Sequence, residues 1–528
     1  MDGCKTGHGK QMSNVRPDPK FRKFQHIVIV GGGTAGWMTA NLLAQQWGRL
    51  GAKITLIESA DIGIIGVGEG STPFLRQFFS QLNIPEHEWM PACNATFKCG
   101  IRFPQWSSVP GYEEYVHPFF NQEDLTTGNE FFANACLRRR GADAHANPHD
   151  FFIAAELARQ RKAPIYLPRA DRQAPPATDY AYHFDAGLLG TFLKSHAKKL
   201  GVIHQVDTVA QVKRHDNGDI AQLIMHSAAV VSGDFFVDCS GFKGLLINET
   251  LGEPFISYKD NLFNDRAIAI PTALDTNDDI PSETTSTALR HGWAWQIPLT
   301  NRYGNGYVYA SDFVSDDQAE LALRQHLGES AHNKEARHLK MRVGRIEQHW
   351  RNNCLAIGLS QGFIEPLEAT ALMLIQFSVA YFIGMVEQGN GDRRYQAQFN
   401  RRINQMFEGV RDYVVAHYQL NTRNDSDFWR ENRAHNNISD RLASIFEVWD
   451  QGGDFEAELT RHGDDLMYIR PSWYCLLAGM GRFPSTLKPA TSKPLTNIQA
   501  RTATADIVKH FYSHRDYLKN IYGAAWGN

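Results

Sequence analysis

An α/β fold is predicted for this 528-residue chain by three features of its sequence. A β-branched run, HIVIV at residues 26–30, passes directly into GGGTAGW and a stretch of helix formers. A second apolar run, KITLIES at 53–59, brings in an acidic residue at its end. From about 396 to 449, and again at 507–522, the spacing of apolar residues is helical. Strand alternating with helix implies a parallel sheet covered by helices, and the later segments imply a mostly helical second part.

Taken in order, residues 1–23 are polar and rich in Gly and Lys, without the apolar stretch of a secretory leader, and read as a mobile tail. In the strand–turn–helix that follows, Gly31, Gly33 and Gly36 hold the G-x-G-x-x-G positions. The first permits the tight turn, the second lets backbone approach a pyrophosphate, and the third lets the helix pack on the strand. Thr34 and Ala35 open the helix, whose N-terminal N–H groups and dipole favour phosphate. Glu58 ends the second strand, where a carboxylate accepts from ribose hydroxyls. At this point a Rossmann-like dinucleotide site is predicted, with FAD and NAD both open. Two later segments, 233–246 and 354–370, again run from apolar strand into glycine and helix. They suit one FAD lying extended across the sheet of a two-domain flavoprotein. No second G-x-G-x-x-G follows a strand, so electrons are expected from elsewhere.

Residues 103–182 are rich in aromatics, His and Pro and read as a loop-rich insertion lining a substrate cavity. Residues 285–312 read as two antiparallel strands with a polar turn at 301–305, then a helix at 316–327. The parts are therefore a FAD-binding module at 24–395 and a helical, substrate-facing part at 396–528. A formal net charge of −3 supplies no global field for nucleic acid or an anionic membrane. Seven scattered cysteines without a C-x-x-C argue against zinc and against a disulfide framework, and the cytosol fits best. No metal is expected. The uncharged run 369–386 is at the lower length limit for a membrane span. It holds Gln376 and Ser378 between Glu368 and Glu387, and is read as a central buried helix.

Several further motifs occur in a consistent order: GVGEGSTP (66–73), CNATFKCGIRF (93–103), HPF (117–119), YHFDA (182–186), DCSGF (238–242), GWAWQIP (292–298) and EPLEAT (365–370). Together with GGGTAGW they resemble the flavin-dependent tryptophan halogenase family, over nearly the whole chain up to about residue 420. The W-x-W-x-I-P element, here Trp293, Trp295, Ile297 and Pro298, separates that family from ordinary flavin monooxygenases. The resemblance implies a monooxygenase-like FAD module in which FADH2 from a separate flavin reductase, oxygen and a halide ion yield hypohalous acid for an aromatic substrate. It implies Lys98 as the group that polarises hypohalous acid or forms a haloamine, and Glu368 as the group that orients it and takes the ring proton. Burial would lower the amine's pKa and favour the haloamine.

The same resemblance implies flavin contacts at Ser59, Glu69, Val209, Leu359 and Leu372, and halide on the backbone N–H groups of Thr370 and Ala371. The chain departs from the family in having Ala371 for glycine, and Gly70-Ser71 for Ala-Thr. His117 and Phe119 match the aromatic sandwich for an indole, and Trp473 is a candidate ring contact. Residues 466–487 do not match the family's clasp for a free amino acid, so indole or a substituted indole is expected, with bromide preferred over chloride. A homodimer is left open. A flavin-dependent aromatic hydroxylase and a non-catalytic flavin-binding protein are the alternatives.

Read singly, these residues say less. Lys98 in an alternating stretch is a solvent-facing strand residue. Glu368 is a first-turn helix carboxylate, the two tryptophans are one face of a half-buried strand, and His117 is a loop histidine.

Overall fold

The computed structural model describes residues 24–60, 68–168, 176–274, 278–523 and 526. The anticipated tail, 1–23, lies outside the described residues, as do Gly66 and Val67 of GVGEGSTP.

β1 (His26–Val30), α1 (Thr34–Gln46) and β2 (Lys53–Glu58) form as predicted. They belong to a six-stranded sheet ordered Ile203–Val206, β2, β1, Phe235–Asp238, Cys354–Ala356, Trp350–Arg351, in which the last strand alone is antiparallel. Residues 27–30 are apolar without alternation because both faces of the sheet are covered. Ile27 and Ile29 pack in one core with Trp37 and Leu43 of α1, while Val28 and Val30 pack in another with Phe236 and Ile247.

A second, mostly antiparallel sheet has the order Arg337–Lys340, Arg266–Ala273, Arg302–Tyr309, Gly292–Pro298, Thr284–Leu289, Gly100–Pro104, Glu114–Pro118. It corrects the reading of 285–312, which holds three strands rather than two, and Asn305 lies inside the strand Arg302–Tyr309 instead of in a turn. The missed reversal falls at Arg290 and His291, which are not usual turn residues; Gly292, which follows, takes φ +153°, and a Cβ there would lie 1.9 Å from the Val308 carbonyl oxygen. A small third sheet sets Gly68–Gly70 and Thr96–Lys98 on either side of Ala181–Asp185.

The apolar run becomes the helix Ala371–Gln388, which is long and apolar enough to cross a membrane but is more than half buried, packed between α1 and the helix Gln396–Leu420. One hydrophobic core holds Trp37, Phe382, Val410 and Trp473, so packing is continuous across residue 395. The insertion expected to be loop-rich contains the strand Glu114–Pro118 and the helices Leu125–Arg139 and Ile153–Arg159, ordered by packing of Phe131, Phe151 and Phe152. The expected single last helix is two helices, Asn497–Val508 and His514–Tyr522, separated by the strand Phe511–Ser513; the Ser513 side chain caps the second.

Candidate active site

At the C-terminal edge of the parallel sheet the glycine turn has the predicted form. Gly31 sits at φ +119°, and a Cβ there would meet the Cys239 carbonyl oxygen at 2.1 Å. A Cβ on Gly36 would lie 1.9 Å from the Gly31 oxygen, so the helix crosses the turn at a distance open to glycine alone. Gly33 has nothing within 4 Å of its Cβ position, and it is the N-cap of α1, where Thr34 and Ala35 present N–H groups without intrahelical partners. That open space at a helix N-terminus fits a dinucleotide pyrophosphate.

Of the other predicted flavin positions, Glu58, Ser59, Val209 and Leu359 lie at or after the C-terminal ends of strands of this sheet, whereas Glu69 lies in the small sheet with Ala181–Asp185. Glu58 accepts from Lys194 Nζ at 2.5 Å through Oε1, leaving Oε2, beside Gly32, for a ribose hydroxyl. The Thr208 hydroxyl donates to Ser59 Oγ at 2.9 Å, which brings Ser59 next to Val209, the first residue of a strand. Leu359 lies in the turn Gly358–Ser360, packed on Ala35, and Leu372 is the second residue of the buried helix. Glu69 is half-buried, and desolvation together with Asp185 raises its carboxyl to about 7. Asp238, in DCSGF, is spent on the fold: its carboxylate accepts from the N–H groups of Ser240, Leu246 and Ile247.

Lys98 is wholly buried, which overturns the solvent-facing reading. Its ammonium donates to the Ser71 carbonyl at 3.1 Å and sits 5.6 Å from the centre of the half-buried Phe119 ring. Desolvation pushes its pKa down to about 7, opposed by the Glu368 carboxylate. A Cβ on Gly70 would lie 3.2 Å from Lys98 Nζ and 3.3 Å from Thr284 Oγ1, so the glycine leaves the amine room that alanine would take. Behind the lysine runs a chain of neutral dipoles. The Thr96 hydroxyl donates to the Pro298 carbonyl at 2.7 Å and accepts from His183 Nδ1 at 3.1 Å. His183 Nε2 then accepts from the Thr284 hydroxyl at 2.9 Å. That tautomer follows from the network, and burial with Lys98 nearby holds His183 neutral.

Glu368 is not in the long helix's first turn. It ends the short turn Pro366–Glu368, and Ala369 then takes a left-handed φ of +55° before the helix begins. The carboxylate is 4% exposed and lies between two imidazoles, with His117 Nδ1 at 3.0 Å and His417 Nε2 at 3.1 Å. Burial would raise its pKa, but the two histidines overcome this and hold it at about 2. His117 is likewise no loop residue. It belongs to the strand Glu114–Pro118, and its Nε2 meets Ser472 Oγ at 2.9 Å. His417 donates from Nδ1 to the Tyr413 carbonyl, and its Nε2 also faces the Tyr115 hydroxyl.

Sequence reading missed His417 and Ser472. The available signal was a Tyr413–His417 pair, four residues apart on an otherwise apolar helix face. Trp473 is 1% exposed and meets Tyr413 edge-on at 5.0 Å, while Tyr468 stacks on Tyr413 at 3.6 Å. Trp293 and Trp295 are both buried rather than half-exposed, and a Cβ on Gly306 would lie 2.1 Å from the Trp295 ring. Ile297 packs near Gly68, beside Glu69. Thr370 is buried and Ala371 exposed at the start of the long helix.

The glycine cradle and the parallel sheet define a flavoprotein of the Rossmann-like class, as the solved relatives confirm. The tryptophan halogenase sequence model matches residues 26–494. A tryptophan 6-halogenase, SttH of Streptomyces toxytricini, is 40% identical over 439 residues, covering 80% of this chain and 83% of SttH. Its crystal structure superposes with a TM-score of 0.81 at 35% identity, over 96% of this chain and all of that one. BrvH, a flavin-dependent halogenase from Brevundimonas sp. BAL3, gives 0.81 at 33% identity over 96% of this chain and 100% of BrvH. The chain belongs to the tryptophan halogenase family and is a flavin-dependent enzyme.

Proposed function

We propose that this protein takes FADH2 from a separate flavin reductase and, with oxygen and halide, halogenates an electron-rich aromatic, indole or a substituted indole, using bromide in preference to chloride. The reading is carried by the pair of buried groups of opposite character, the Lys98 amine and the Glu368 carboxylate, whose charges sense one another. In this reading residues 24–395 hold the flavin and 396–528 face the substrate.

When bound, reduced flavin would supply the oxygen activation needed to oxidise halide to hypohalous acid. Gly31, Gly33, Thr34, Ala35 and Gly36 would hold its pyrophosphate and Glu58 its ribose, with Ser59, Glu69, Val209, Leu359 and Leu372 as further contacts. The N–H groups of Thr370 and Ala371, at the positive end of an 18-residue helix, hold the halide. Lys98 holds the hypohalous acid or carries the halogen as a haloamine. As the ring carbon bonds to halogen, the bond from halogen to oxygen or nitrogen breaks, and Glu368 accepts the proton lost on rearomatisation. His117 and His417 keep that carboxylate ionised and aimed. His117, Phe119 and Trp473 border the ring.

The substrate reading rests on the C-terminal segment. Its charged side chains are already paired, Arg470 with Glu456 and Arg482 with Asp450, and Tyr474 donates to Glu456. The Tyr468 hydroxyl and Trp473 Nε1 are buried without a hydrogen-bond partner among the described residues. A ring held by aromatic faces, without a charged clasp, loses effective molarity, which penalises weak nucleophiles first. Bromide is also more easily oxidised and less tightly hydrated than chloride. With flavin reductase, NADH, FAD and equal bromide and chloride, bromination is expected to exceed chlorination, indole to exceed tryptophan, and attack to fall at C3. Mass spectrometry and NMR of the products decide this; predominant chlorination of tryptophan at one benzo-ring carbon would sink it.

A further inference from the structure

The W-x-W-x-I-P strand has no part in the chemistry above, yet its first tryptophan reaches the turn that carries Glu368. Trp293 Nε1 donates to Glu365 Oε2 at 3.2 Å. Two more donors converge on that one oxygen, the Tyr418 hydroxyl and Asn264 Nδ2, each at 2.8 Å. Asn264 also donates to the Tyr418 oxygen at 2.7 Å, closing the network. Glu365 and Trp293 are each 1% exposed, so water is not a ready substitute for a lost donor. The other carboxyl oxygen, Oε1, and Asn264 Oδ1 are both buried without a partner among the described residues. Three elements distant in sequence thus grip one side chain.

What they grip is a strained turn. Between Glu365 and the helix Ala371–Gln388 lie the short turn Pro366–Glu368 and then Ala369 at φ +55°. A left-handed alanine persists only where its surroundings over-determine it. The turn is held at two points: Glu368 by His117 and His417, and Glu365 by Trp293, Tyr418 and Asn264. Releasing the second point would leave Glu368 tied to its histidines and let Ala369 relax toward an ordinary φ, turning the N–H groups of Thr370 and Ala371.

We propose that Trp293 is a positioning residue for the halide site, acting through Glu365 and sharing that task with Tyr418. Glu365 serves as a hydrogen-bonded, charge-independent anchor, in contrast to Glu368 on the same turn. The inference rests on the reading that Thr370 and Ala371 bind halide in a halogenase.

The test is steady-state bromination of indole by the full-length enzyme with FAD, flavin reductase and varied bromide. Trp293→Phe should raise the bromide KM about five- to tenfold, the loss of one hydrogen bond to a buried group. The kcat at saturating bromide should stay within about twofold, and the Kd for FAD should be unchanged. Tyr418→Phe, which removes a donor to the same oxygen from another element, should give the same split and decides the matter should Trp293→Phe not fold. Combined, the two should be non-additive, because they act on one atom. Glu365→Gln keeps an acceptor for the three donors and should leave the bromide KM within about twofold, whereas Glu365→Leu should raise it as far as the double substitution does. An unchanged bromide KM in both aromatic variants would overturn the inference, as would a rise matched by an equal loss of FAD affinity. A wild-type enzyme that brominates nothing would instead overturn the halogenase reading.

Discussion

Lys98→Ala is expected to abolish halogenation of indole, a loss of about 10³-fold or more on the scale of a lost catalytic proton donor or base, while FAD binding is retained. Hypohalous acid should then escape and be caught by a diffusible scavenger, since Lys98 is not among the groups proposed to bind flavin or halide. The variant should fold. Among the described residues the Lys98 amine makes one hydrogen bond, to the Ser71 carbonyl, and its removal relieves the cost of a buried amine. The pH dependence carries further information. With its pKa pushed down to about 7, Lys98 is cationic below that pH and neutral above it. If halogen is carried as a haloamine, the rate of the halogenation step rises as pH passes through about 7, and a single-turnover pH series reads this directly. A rate that falls through the same range would assign Lys98 the role of a hydrogen-bonding ammonium. Near wild-type halogenation by Lys98→Ala would remove the lysine from the mechanism altogether.

Glu368→Gln should lower kcat by about 10² or more, the usual contribution of a positioned general base. The substitution keeps the volume but replaces an ionised carboxylate with an amide. Its –NH2 has only donors to offer, and one of the two imidazoles loses its acceptor. FAD affinity should change little, because Glu368 is not among the residues proposed to hold the flavin. Full activity would reduce Glu368 to a turn carboxylate. The contrast with Glu365→Gln, three residues earlier on the same turn and expected to be nearly silent, makes the pair of variants more informative than either alone.

The early part of the fold was legible because each signal is local. Gly31, Gly33 and Gly36 can be recognised by spacing, and the structure explains each by a close approach or an open space at its α-carbon. The buried helix Ala371–Gln388 could be read from its flanking glutamates. Errors fell where a reversal lacked turn residues, as at Arg290 and His291, and where a short strand interrupted helical spacing near Phe511. The aromatic-rich stretch 103–182 looked like loops because its apolar residues follow no single period. They are spent on packing between elements rather than along one face.

By itself the sequence determined the nucleotide-binding strand, turn and helix, and, through the order of its motifs, the family and the two residues, Lys98 and Glu368, on which the chemistry is proposed to rest. Tertiary structure decided their properties. Alternation along Thr96–Lys98 would turn the lysine to solvent, but the fold closes Ser71, Gly70 and Phe119 around it, and burial lowers its pKa to about 7. Glu368 would be a helix-start carboxylate, but a left-handed Ala369 carries it between His117, from a strand 251 residues away in sequence, and His417, from the long helix. Trp293 would be one more core aromatic, but the fold aims its indole N–H at Glu365. The reason is physical: periodicity reports which way a side chain points from its own element, whereas burial, charge state and hydrogen-bond partner depend on which distant elements close over it.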